Sequence, residues 1–132
     1  MKDRIRKIDR ILKVQQHLQK EAELRLSRLE REAVALKEAQ ETLIQTMNDH
    51  ETLHGLFVDV ASRRLQVLAS QASVVEKAKS HQKALTLDRA LQTKRTEKML
   101  TGLKGEDRRE EEKKELVQIL ETLVKGAHAS FP

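Results

Sequence analysis

The chain has 132 residues, of which 36% are charged and only 2% aromatic, with four Gly, one Pro and no Cys, Trp or Tyr. Twenty-six Lys and Arg against 21 Asp and Glu leave a net charge of +5. The absence of cysteine excludes disulfides and thiolate metal sites. So few turn formers and aromatics exclude a compact strand-rich domain and point to long helices instead.

No stretch approaches the ~18 apolar residues of a membrane span, and Met1 to Arg4 lacks the apolar run of a secretory signal. A cytoplasmic location is the expectation. The basic excess is interleaved with acid, as in Arg28, Glu30, Arg31 and Glu32, and no aromatic platform exists for stacking bases. It reads as solvated helix faces, with no nucleic acid as partner.

The first element runs from about residue 3, with Asp3 as a fair N-cap, to about residue 48. Alternating steps of three and four meet Ile5, Ile8, Leu12, Gln15, Gln19, Ala22, Leu26, Leu29, Ala33, Leu36, Gln40, Leu43 and Met47. Ten of these thirteen are apolar and the other three are Gln. An apolar period of about 3.5 residues predicts a coiled-coil helix. At about 1.5 Å per residue it would be roughly 70 Å long.

Residues 48–55 gather Asn48, Asp49 and Gly55 and predict the turn. A short connection between helices implies antiparallel neighbours. Helix 2 is expected over about 56–101, resuming the seam at Val58, Ala61, Leu65, Leu68, Ala72 and Val75. Beyond these the phase blurs, and Ala84, Leu87 and Leu91 form a stripe of their own, which suggests stutters. Folding the arms about residue 52 levels Leu36 with Leu68, Ala33 with Ala72, and Leu12 with Thr93.

Gly102 and Gly105 then predict a break where helix 1 runs out of residues. From Lys104 to Glu115 eleven of twelve residues are charged, followed by Leu116, Val117, Ile119, Leu120, Leu123 and Val124. This predicts a C-terminal helical extension over about 106–126. It either overhangs the end of helix 1, the favoured reading, or folds back as a third helix. The expected fold is thus all-α: a long antiparallel two-helix coiled-coil hairpin with a C-terminal helical overhang.

Catalysis has little to build on. The carboxylates of such a rod are exposed and without a pocket to shift their pKa values. Gly102 to Gly105 lacks the spacing of a phosphate loop. His50 and His54 stand at metal-clasping spacing but as a solvated pair. No enzyme activity, metal or cofactor is expected.

Apolar residues off the seam are more informative, because a two-stranded coil buries only its seam. Val60, Val67 and Val74 recur at sevens near the turn, beside Phe57, the natural anchor there. At the other end Ile11, Val14 and Leu18 lie beside the seam. There the densest basic run, Arg4 to Lys13, includes Arg6, Lys7 and Arg10. A scaffold or homodimeric coiled coil would account for the pattern, as would an adaptor with two partner surfaces. A charged-surface binder accounts for it less well.

The stretch Arg6, Lys7, Ile8, Asp9, Arg10, Ile11, Leu12, Lys13, Val14, Gln15 with Glu21, Ala22 and Glu23 resembles the N-terminal pattern of the FliJ/YscO family. Glu111, Glu112, Lys113, Lys114, Glu115 and Leu116 are similar to its C-terminal half. These are small coiled-coil components of bacterial type III export machines, in flagella and injectisomes. The resemblance implies a central stalk whose paired termini enter the ring of the hexameric export ATPase. Arg6, Lys7, Arg10, Ile11, Val14, Leu18, Leu116, Leu120 and Leu123 would face the ATPase. The turn end, with Phe57, Val60, Val67 and Val74, would face the membrane export gate. Some members also bind substrate chaperones. Such a protein would be a monomeric hairpin when free, held peripherally to the export apparatus.

Overall fold

The computed structural model describes residues 1–49 and 55–129. The first helix, α1, spans Lys2–Asp49, and the second, α2, spans Gly55–Ala129. The two pack against each other, and no strand occurs among the described residues. α1 contains neither Gly nor Pro and is rich in Ala, Leu, Glu, Lys, Gln and Arg, the residues that lose least on entering a helix. It starts one residue before the expected boundary, because the Met1 carbonyl accepts a hydrogen bond from the Ile5 N–H at 3.0 Å. Asp3 therefore sits in the first turn, where a carboxylate suits the positive end of the helix dipole. Asn48 and Asp49 belong to α1 and Gly55 to α2. The remaining turn positions, with His50 and His54, lie outside the described residues.

All thirteen seam positions of α1, from Ile5 to Met47, are buried or half-buried. On α2 the structure corrects the expected stutters. Every alternating step of four and three from Ala61 through Leu65, Leu68, Ala72 and Val75 to Lys79 is withdrawn from solvent, and the line continues through Gln82, Thr86, Arg89, Thr93, Thr96, Leu100 and Leu103 to Asp107. The period never slips. It looked broken because polar residues occupy six consecutive steps, Lys79, Gln82, Thr86, Arg89, Thr93 and Thr96. Apolar counting follows Ala84, Leu87 and Leu91 instead, and these three are exposed. Val58 is a second correction. It is exposed, while Phe57 beside it is half-buried.

Packing divides the chain into two units: Met1–Gln16 with Leu91–Pro132, and His17–Ala90. In the second, Ala22, Ala61, Leu68 and Val75 are buried. Gln82 Nε2 donates to the Ala22 carbonyl at 3.1 Å, and Thr86 Oγ1 donates to the same oxygen at 3.3 Å. A buried amide is tolerated only when it is bonded, and this one is. Because the acceptor is one particular carbonyl, the pair also favours one longitudinal setting of the two helices over its neighbours.

In the first unit Leu12, Leu100 and Leu103 are buried, and Lys2 Nζ meets Glu111 Oε1 at 3.3 Å. The expected helix break at Gly102 and Gly105 is absent: both are helical, with no positive φ. Each glycine costs about 1 kcal/mol in a helix, too little to interrupt a helix anchored by buried Leu100 and Leu103. The extension accordingly continues α2 and does not fold back as a third helix. A Cβ added at Gly102 would meet nothing within 4 Å. Gly102→Ala is therefore expected to stabilise the chain by about 0.5–1 kcal/mol, read as a higher denaturation midpoint by circular dichroism.

Candidate functional site

Val60, Val67 and Val74 in the His17–Ala90 unit are exposed, and Val74 borders a shallow groove with Glu32, Leu36, Gln71 and Val75. Residues seven apart drift about 20° around a straight helix, so the three make a narrow line one residue wide. Arg63, Arg64, Ser70 and Gln71 flank it and are exposed. Phe57 is less free than an anchor requires, because it turns toward the buried side, four residues before Ala61. Leu18 is half-buried and lines a groove with Ala22, Arg25, Gln82, Leu85 and Arg89. It is a packing residue as much as a surface one.

In the unit formed by Met1–Gln16 and Leu91–Pro132, Arg6, Lys7 and Arg10 are exposed, as are Ile11 and Val14. Asp9 pairs with Lys13 at 3.2 Å and so tempers the basic run. Exposed pairs of this kind contribute only about 0–1 kcal/mol each. The run therefore adds little to stability.

Beyond the Lys2–Glu111 contact, every residue of α2 from Arg108 to Ala127 is exposed. Leu116, Leu120 and Leu123 stand there as expected. Val117, Ile119 and Val124 complete their face, each more than half exposed. At about 100° per residue the six span an arc of roughly 160°. Lys114, Glu115, Gln118, Glu121, Thr122 and Lys125 occupy the opposite half. The spacing i, i+1, i+3, i+4, i+7, i+8 was readable as such an arc. Taking only the three leucines understated it by half.

From Leu116 to Val124 this stretch is a helix with one apolar half, and that half is exposed among the described residues. An ordered apolar surface of that kind can bind another apolar surface without a further cost of folding. Among the described residues, no group of three or more His, Cys, Asp or Glu could hold a metal ion. Nor is any helix long and apolar enough to cross a membrane. No protein-family model, curated protein or solved structure matches the chain.

Proposed function

We propose that the chain is an antiparallel two-helix coiled-coil hairpin that serves as a non-enzymatic stalk of a bacterial type III export system, coupling the hexameric export ATPase to the membrane export gate. The observation that carries the reading is the exposed apolar half of α2 from Leu116 to Val124. It lies in the same unit as the basic start of α1. Within the His17–Ala90 unit, Ala22 meets Gln82 and Thr86 while Leu36 lines a groove with Val75, which supports the antiparallel sense: as α1 advances, its partners on α2 recede. The ATPase takes the surface built from Arg6, Lys7, Arg10, Ile11, Val14 and the terminal arc. The gate takes the line Val60, Val67 and Val74, with Phe57 as a partly sheltered neighbour. Substrate chaperones are the third class of partner.

The test is a titration of the full chain against a hexameric type III export ATPase, reading both binding and ATP turnover. Arg6→Glu, Lys7→Glu and Arg10→Glu together are expected to weaken binding at least about 10-fold, mainly through slower association, and to do so less at high salt. Helicity should not change, because all three side chains are exposed. Failure of the unsubstituted chain to bind any such ATPase would leave a generic coiled-coil scaffold as the better reading.

A further inference from the structure

We infer that the terminal arc is also a self-association surface, through which two copies of the chain pair antiparallel about Leu120. The proposal holds whether or not an export ATPase is a partner. α2 carries six apolar residues between Leu116 and Val124, each more than half exposed. A second copy laid antiparallel over them sets Leu120 on Leu120 at the two-fold axis. Leu116 then meets the second copy's Leu123, and Val117 its Val124. All of these contacts are apolar, and the symmetry is closed, so association stops at two.

Three other occupants fit less well. The chain's own fold-back is excluded because α2 is one helix to Ala129. An anionic lipid surface would be favoured by a basic polar half. Here Lys114 and Lys125 are balanced by Glu115 and Glu121. A strongly charged protein groove meets the same neutrality. That neutrality suits a second copy, since two identical polar halves of zero net charge carry no net repulsion. Two arcs of six residues each make an interface at the small end of the specific range, which suits a reversible pair. The paired helices need no second copy, but the terminal arc does, and the expected monomer is therefore the dilute form only.

The chain has no cysteine, which makes single-cysteine cross-linking unambiguous. With a short bismaleimide, L120C is expected to cross-link to itself. L116C alone should not, whereas an equimolar mixture of L116C and L123C should. In sedimentation velocity the unsubstituted chain is expected to shift from monomer to dimer over about 1–200 μM. Leu120→Glu should weaken that equilibrium at least about 10-fold with circular dichroism unchanged. Self-cross-linking of L116C as efficient as that of L120C would overturn the antiparallel pairing. A chain that stays monomeric at about 200 μM would overturn the interface. If that monomer also floats with phosphatidylcholine vesicles, the arc belongs to lipid.

Discussion

Leu68→Ala is expected to lower the unfolding free energy by about 2–4 kcal/mol, and its neighbour Val67→Ala by less than about 1 kcal/mol. The two residues are adjacent in sequence and similar in hydrophobicity. They differ in direction: Leu68 is 4% exposed and Val67 is 46% exposed. Removing three carbons from Leu68 opens a gap that the facing helix closes only in part, while removing two from Val67 withdraws atoms already in contact with water. The figure for Leu68 sits toward the lower end if the neighbouring helix shifts inward to fill the space. Denaturant titrations followed by circular dichroism decide it. Equal losses at the two positions would mean that the seam does not run through Leu68.

Leu116→Glu, Leu120→Glu and Leu123→Glu together are expected to abolish binding to the proposed ATPase partner, with an affinity loss of at least about 100-fold. Unfolding stability should change by less than about 0.5 kcal/mol. The separation follows from their exposure, 59%, 54% and 64%. Among the described residues their side chains face solvent, and Glu is nearly as good a helix former as Leu. An apolar arc carrying three carboxylates cannot enter a desolvated groove, because each charge would have to be buried unpaired. The readouts are a binding titration and a thermal melt on one protein. Intact binding would move the contact to another surface. A large drop in melting temperature would mean that the arc packs within the fold.

Much of the architecture was legible because helix burial is periodic. The thirteen seam positions of α1 could be named from spacing alone, and all thirteen are withdrawn from solvent. So could the apolar residues off the seam, since a side chain whose angle points away from the partner helix has nothing in the chain to cover it. Val60, Val67, Val74, Ile11 and Val14 are exposed for that reason. The second half of α2 was less legible. Gln82 and Thr86 look like surface residues until the Ala22 carbonyl appears opposite them, and that acceptor lies 60 positions from Gln82 and 64 from Thr86.

What the sequence determined by itself is what local periodicity and composition control: two helices, the seam of α1, and an apolar arc from Leu116 to Val124. Only tertiary structure decided the phase of α2 through its polar steps, the half-burial of Phe57 beside an exposed Val58, and the continuity of the helix through Gly102 and Gly105. Each of these rests on a balance against a partner helix. A buried Gln is tolerable if a carbonyl meets it, and a helical glycine is tolerable if buried leucines on either side outweigh its cost of about 1 kcal/mol. Spacing along one chain carries no account of what lies across from it.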